Sequence, residues 1–376
     1  MGSGERAKGF FKRAGKALTA GASPVAIDFG TGALKLLQID GGDQPQLIAA
    51  ARVDTPDDLL SDPAGRLQFQ TETLPRLVRT MKFRGKRAVC TIPATQTFCK
   101  PVQVGEGERS SSRGVVDHAV ANQLGCDPRA IVTRQIEVGP VQGNKLEIAA
   151  LATGRKLVER LMESVKTAKL EPVGIFSEFE AMVAGLASPT DEPEDASALY
   201  LDIGALTTAA AIAHGRTLAF ARCLEVGGHH LDDAVGKQVK VGIERAREIR
   251  AQMDGPVQVA ERSGASTNRF TKRIRHDIDL TNLTEMIVDE AQLCVRYHDS
   301  MFPQRPVRKV VFAGGEASWK GLCRHVAQGL RLPAQIADPL ARVARSGSEP
   351  TTGVDLTQAQ PGWAVPLGLC LSKPEL

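Results

Sequence analysis

Apolar and polar positions along the chain predict two halves of related layout. A strand-like run over residues 25–39, a turn at 41–42 and a second run over 46–52 predict a β-meander, followed by a short helix over 74–81 and a buried strand over 87–93. Three further strands are predicted over 198–203, 207–213 and 217–224. Because the meander recurs, we expect two lobes with a cleft between them.

A smaller unit is predicted inside the first half. Residues 100–152 read as a strand, a helix over 111–124 and two strands over 131–138 and 145–152. Apolar residues at helical spacing predict a helix over 154–169, and a strand over 172–176 leads to a helix that begins near Ser177. Prolines and acidic residues over 188–197 indicate a linker to the second half.

Composition excludes several classes of protein. The 376 residues carry 47 Lys and Arg against 43 Asp and Glu, so no chain-wide nucleic-acid surface is indicated. The seven cysteines form no CxxC pair, which argues against zinc and disulfides and favours a reducing cytoplasm. No run approaches the roughly 20 apolar residues that cross a bilayer. Residues 1–23 carry five basic side chains and one acid, and read as a flexible tail rather than a membrane-binding amphipathic helix.

The first strand ends in residues suited to a metal-bound polyphosphate. Asp28 is placed to hold Mg²⁺ through its waters, and Gly30 and Gly32 let backbone N–H groups face phosphate oxygens. Thr31 adds a hydroxyl, and Lys35 on the returning strand can reach the β and γ phosphates. Taken alone, such a sequence also suits an ordinary turn.

Further candidates lie in the second half of the chain. Asp202 and Gly204 repeat the strand-end arrangement, which gives Asp28 and Asp202 as the predicted metal carboxylates. The glycine pairs 227–228 and 314–315 bring backbone close to a ligand or form tight turns. The histidine pairs have no second ligand at helical spacing, and no Ser-His-Asp arrangement is favoured.

Three motifs in order resemble those of the actin-like ATPases. They are Asp28-x-Gly30-Thr31-Gly32-x-x-Lys35, Asp202-x-Gly204-x-x-x-Thr208 and the run 310–315 that ends in Gly314-Gly315. Within that superfamily, residues 24 to the C-terminus resemble the PilM family of type IV pilus assembly proteins, itself close to FtsA. Residues 222–228, which include Gly227 and Gly228, and residues 364–369 carry the finer likeness.

The resemblance implies an α/β, actin-like (ribonuclease H-like) two-lobed fold with a nucleotide cleft and a small inserted α/β subdomain. The implied parts are a basic flexible tail (1–23), a first lobe (24–99 and 153–190), the insert (100–152) and a second lobe (191–376). The second lobe would contain a flexible insertion (254–282), and a C-terminal helix (361–372) would return to the first lobe.

The resemblance also implies a function. ATP and Mg²⁺ would bind in the cleft, Glu178 would orient the attacking water, and Arg250 would stand where the family has a lysine. Glu178 serves equally well as a carboxylate that stabilises a helix N-terminus. The expected partner is the cytoplasmic tail of an inner-membrane pilus protein such as PilN, bound beside the insert, with the protein cytoplasmic and peripheral at the inner membrane.

Departures from the family pattern keep alternatives open. Leu206 replaces a glycine of the second phosphate motif, and Arg247 replaces a carboxylate that contacts the nucleoside. Any ATPase activity is expected to be weak, and the system served is either a type IV pilus or type II secretion. A small-metabolite kinase, a nucleotide-free scaffold and self-association remain open.

Overall fold

Two mixed β-sheets form the frame of the molecule. The computed structural model describes residues 21–42, 44–105, 112–141, 143–187, 197–258 and 277–373. The first lobe contains β1 (Val25–Phe29), β2 (Ala33–Asp40), β3 (Gln46–Asp54), α1 (Pro63–Thr80), β4 (Arg87–Ile92), α3 (Arg155–Thr167), β8 (Glu171–Ser177) and α4 (Glu178–Leu186). Its sheet has the order β16-β3-β2-β1-β4-β8, where β16 is the late strand Thr351–Thr352.

The second lobe repeats this layout. Its sheet has the order β11-β10-β9-β14-β15. In each lobe a meander is followed by a parallel strand, because β1 pairs with β4 and β9 pairs with β14. The elements are β9 (Ser197–Ile203), β10 (Thr208–His214), β11 (Thr217–Leu224), α5 (Gly228–Val239), α6 (Ile243–Ala251), β12 (Val257–Gln258), β13 (Ile278–Asp279), α7 (Thr281–Met301), β14 (Val307–Ala313), α8 (Lys320–Leu330), β15 (Ala334–Ile336) and α9 (Ala364–Leu371).

The insert is a three-stranded sheet with one helix. It contains β5 (Phe98–Gly105), α2 (Ser112–Leu124), β6 (Ile131–Val141) and β7 (Lys145–Gly154), in the sheet order β5-β7-β6. Its own core lies between the sheet and α2. A second apolar cluster joins Val138 and Ala149 of the insert to Ala219 and Phe302 of the second lobe. The insert therefore contacts both lobes.

The helices α4 and α9 lie between the two sheets and pack closely. A Cβ atom on Gly185 would stand 2.1 Å from the carbonyl oxygen of Ala364, and one on Gly368 would stand 1.7 Å from that of Ala181. The C-terminal helix also reaches the first sheet, since the Cys370 thiol lies 3.5 Å from the carbonyl oxygen of Leu37. These contacts join the end of the chain to the first lobe.

Helix α1 is longer than the apolar pattern predicts. We expect a helix over 74–81 from the sequence, but α1 begins at Pro63. The carboxylate of Asp62 accepts hydrogen bonds from the amides of Ala64 and Gly65, and proline is favoured at the first helical position. The first turns bury polar Arg66 and Gln70, so hydrophobic periodicity is weak there.

Parts of three predicted segments lie outside the described residues. They are residues 1–20 of the tail, 188–196 of the linker and 259–276 of the predicted insertion. Among the described residues, no helix combines the length and the apolar character needed to span a membrane.

Candidate functional site

The two strand-turn-strand hairpins meet at a cavity between the lobes. Asp28 and Lys35 lie opposite each other in the β1–β2 ladder, with 3.4 Å between Lys35 Nζ and Asp28 Oδ2. A Cβ atom on Gly32 would lie 2.9 Å from the Cβ of Ala205, so the turns of the two hairpins touch. The cavity measures about 360 Å³, and nine of the predicted site residues line it: Asp28, Gly30, Thr31, Gly32, Lys35, Glu178, Asp202, Gly204 and Gly315.

Three carboxylates, those of Asp28, Glu178 and Asp202, line the same cavity. Burial, followed by the charges of Asp202 and Asp28, raises the pKa of Glu178 to about 8. Burial also raises the pKa of Asp202 to about 6, with Lys35 lowering this pKa and Asp28 raising it. The negative charges therefore act on one another within one low-dielectric site.

A second layer of polar side chains fixes the first hairpin. The hydroxyl of Thr91 on β4 donates to Asp28 Oδ1 at 3.2 Å and accepts the amide of Phe29 at 3.1 Å. The amide of Gln70 on α1 donates to the carbonyl oxygen of Gly30 at 2.8 Å. Because both partners are far away in the sequence, no local motif indicates them.

Glu178 stands at the first turn of α4 and faces the cavity. Ser177 caps the helix, its hydroxyl accepting the amide of Glu180 at 3.1 Å. The amide of Ala94 donates to Glu178 Oε2 at 2.8 Å and orients the carboxylate. A carboxylate at a helix N-terminus is also favoured by the helix dipole, so both predicted interpretations of Glu178 fit its position.

Five predicted site residues do not line the cavity. Thr208 is fully buried and its hydroxyl donates to the carbonyl oxygen of Val226 at 2.8 Å. Gly227 packs against the turn at 204–206, Gly228 packs against the Glu316 carboxylate, and Gly314 packs against β9. The guanidinium of Arg250 is buried between Asp232 at 2.5 Å and Glu316 at 2.6 Å. These residues support the walls of the cleft.

Other lining residues are not among the sequence candidates. They are Ala33, Arg52, Asp54, Thr55, Asp57, Leu60, Ala205, His229, Asp232, Arg247, Glu316, Gly362 and Val365. Asp54 ends β3, and the sequence shows this acid at the end of the meander. The remaining residues converge only through tertiary packing.

The lining groups fit a polar, metal-bound ligand. In the part of the chain that the structure describes, seven acidic side chains and three lysine or arginine side chains line the cavity, so an anionic ligand needs an accompanying cation. Thr55 Oγ1 and His229 Nδ1 are buried and have no hydrogen-bond partner among the described residues. No group of three described Asp, Glu, His or Cys side chains can hold an ion directly. Mg²⁺ suits this site, because it keeps several waters and takes one or two carboxylates.

This architecture defines the class of protein. Two meander-based lobes that enclose an acidic cleft between paired hairpins are the actin-like fold, as predicted. A family model described as "Type IV pilus assembly protein PilM" matches residues 26–373. The chain therefore belongs to the PilM family of type IV pilus assembly proteins, which confirms the resemblance drawn from the motifs.

Solved structures agree on the fold. The chain aligns with a PilM-PilN type IV pilus biogenesis complex at a TM-score of 0.70 and 20% identity, covering 94% of this chain and 98% of the other. It aligns with the ethanolamine utilization protein EutJ of Carboxydothermus hydrogenoformans at 0.51 and 18% identity, covering 95% and 91%. No curated protein sequence matches the chain.

Proposed function

We propose that the chain binds ATP with Mg²⁺ in the cleft and uses the bound state to control a partner-binding surface on the first lobe. The observation that carries this proposal is the convergence of Asp28, Asp202 and Lys35 from two opposed glycine-containing hairpins. Asp28 and Asp202 would hold the hydrated ion, and Lys35 would neutralise phosphate charge. Glu178 would orient water for weak hydrolysis.

A second cavity supports binding of a short peptide. It measures about 220 Å³ and lies between the first lobe and the insert, with an apolar floor that includes Ile92, Val132, Leu151, Val158, Ile175 and Phe176. β8 flanks it and is the last strand of its sheet among the described residues. Edge strands offer unpaired backbone groups to an added extended segment. We name this cavity the insert groove.

Membership in the PilM family suggests the occupant of the insert groove. A solved relative is a PilM-PilN complex. We propose that the cytoplasmic tail of a PilN-like membrane protein binds here, which would place this protein at the cytoplasmic face of the inner membrane. Arg134 and Glu180 form an ion pair of 3.2 Å at the rim of the insert groove. Acidic and basic residues of the tail would therefore each find a side chain of opposite charge there.

The start of α4 links the two cavities. Glu178 lines the cleft, while Ser177 and Glu180, one residue before and two after it, line the insert groove. A displacement of this helical turn would therefore change the lining of both cavities. Nucleotide can bias the groove only if it binds one position of this turn more tightly than the other.

Calorimetry tests the nucleotide part of the proposal. We expect ATP with Mg²⁺ to bind, and Asp28→Asn to weaken binding at least about tenfold through loss of one ligand charge. Asp233→Asn is the matched control, because its half-exposed carboxylate pairs with Lys237 of the same helix and is not among the described residues that line the cleft. Absence of heat with the unmodified chain would favour the nucleotide-free scaffold instead.

Fluorescence anisotropy with a labelled peptide from the PilN-like tail tests the groove. Val132→Arg places a charge in the apolar insert groove and is expected to weaken binding at least about tenfold. Val115→Arg is the control, since Val115 is exposed on α2 of the same insert. Equal peptide affinities of the two variants would exclude this groove as the binding site.

A further inference from the structure

Arg247 connects the two lobes across the mouth of the cleft. Its Nη2 lies 3.0 Å from Oδ1 of Asp57, which follows β3 in the first lobe. Its Nε lies 3.1 Å from Oδ2 of Asp232 on α5 in the second lobe. Asp57 and Arg247 are separated by 190 positions in the chain and belong to different lobes. The pair therefore exists only while the lobes are together.

The two halves of this bridge differ in rigidity. Asp232 is 2% exposed and is also held by buried Arg250 at 2.5 Å, which fixes it within the second lobe. Asp57 and Arg247 are 34% and 47% exposed at their side chains and stand at the solvent side. The contact to Asp57 is therefore the one that can open without disturbing the second lobe.

We propose that the Asp57–Arg247 ion pair is a latch that holds the lobes closed over the cleft and slows exchange of the bound ligand. Asp57, Arg247 and Asp232 all line the cavity, so the latch lies beside the path between ligand and solvent. Breaking the pair frees the first lobe at this edge, while Arg247 keeps its contact to Asp232. The effect on exchange rests on the nucleotide proposal, whereas the latch itself does not.

The size of the effect follows from the exposure of the pair. Exposed ion pairs contribute little, which corresponds to about a two- to fivefold change in a rate or equilibrium. Such a contact is also screened by salt, because the Debye length falls to about 3 Å at 1 M. The latch therefore predicts faster ligand release at high salt, and a smaller acceleration when the pair is absent.

The first test uses the full chain without nucleotide. Amide hydrogen exchange at residues 57–59 and at α6 is measured for Asp57→Asn, Arg247→Gln and the double variant. Each single variant is expected to raise exchange at residues 57–59, and the double variant to match Arg247→Gln, because one interaction is removed in each case. Arg245→Gln is the control, since Arg245 pairs with Glu248 within α6 and not across the cleft. Fully additive increases, or equal exchange in all variants, would refute the latch.

The second test measures release of a fluorescent ATP analogue with Mg²⁺. We expect Asp57→Asn and Arg247→Gln to release it about two- to fivefold faster than Arg245→Gln at low salt, and to show a smaller acceleration by salt than Arg245→Gln. Release rates equal to those of the control would contradict the proposal. If the unmodified chain binds no analogue, the nucleotide proposal fails, and hydrogen exchange alone decides the latch.

Discussion

Gly314 provides a quantitative test of how the second lobe builds the site. It has φ of +87° and ψ of 166°, a conformation that side-chain-bearing residues rarely adopt. A Cβ atom there would stand 2.3 Å from the carbonyl oxygen of Ile203 and 2.5 Å from Oδ1 of Asp202. Gly314→Ala must therefore move the end of β9, where the candidate metal carboxylate lies.

The two penalties can be estimated separately. A non-glycine residue in such a backbone region costs about 1–3 kcal/mol, and overpacking a close contact costs about 1–3 kcal/mol. The contacting atom of Ile203 belongs to the backbone of a central strand and cannot rotate away. We expect Gly314→Ala to lower the free energy of unfolding by about 2–6 kcal/mol, the sum of the two penalties, which reaches the upper range for single substitutions.

Urea unfolding followed by circular dichroism measures this loss, with Gly315→Ala as the matched control. A Cβ atom on Gly315 meets nothing within 4 Å, so we expect that change to stay within about 1 kcal/mol. The same substitution on adjacent residues isolates the backbone effect. Equal stability of the two variants would refute the reasoning that close approach to β9 requires glycine at 314.

Two further predictions concern buried charge and pH. Arg250→Met removes a guanidinium that is 5% exposed and leaves Asp232 short of a partner, so we expect the free energy of unfolding in urea to fall by about 3–5 kcal/mol. Arg250→Lys keeps a positive charge and should cost less. A loss under about 1 kcal/mol for Arg250→Met would contradict the importance of this pair. Burial, then the charges of His298 and Arg305, lower the pKa of His214 to about 4, while the unfolded chain titrates near 6.5. Between these pH values the unfolded state binds more protons than the folded state, so stability falls as the pH falls from about 6.5 towards 4. Because His214 is partly exposed, we expect its contribution to this loss of stability to be about 1 kcal/mol. His214→Asn should lessen the decline measured by urea unfolding between pH 7 and 4.5, and an unchanged decline would exclude His214 as its source.

Local chemistry made part of the site predictable from the sequence. Asp28, Gly30 and Lys35 belong to one hairpin, so their spacing already places them together. Asp202 and Gly204 follow the same rule in the second lobe. The recurring meander supplied the expectation of a cleft between the two halves, and the family resemblance implied that this cleft binds nucleotide.

The rest of the site depends on contacts that the sequence does not display. Arg250 reaches Glu316 over 66 positions, and Arg247 reaches Asp57 over 190. The arginine at 247 was visible as a departure from the family pattern, but its two aspartate partners were not. The sequence predicts too short a helix α1 for a related reason. The first turns of this helix bury the polar residues Arg66 and Gln70, at positions where a hydrophobic pattern would contain apolar residues.

The shared turn at the start of α4 constrains how any coupling between the proposed sites must behave. Ser177, Glu178 and Glu180 are fixed relative to one another by the cap of one helix, so the turn moves as a unit. If Mg-ATP tightens peptide binding in the insert groove by some factor, thermodynamic linkage requires the peptide to tighten Mg-ATP by the same factor. Neither Asp57 nor Arg247, the two residues of the latch, lines the insert groove. Opening the latch should therefore change exchange rates of nucleotide while leaving this reciprocal factor intact, which separates gating of the cleft from communication with the groove.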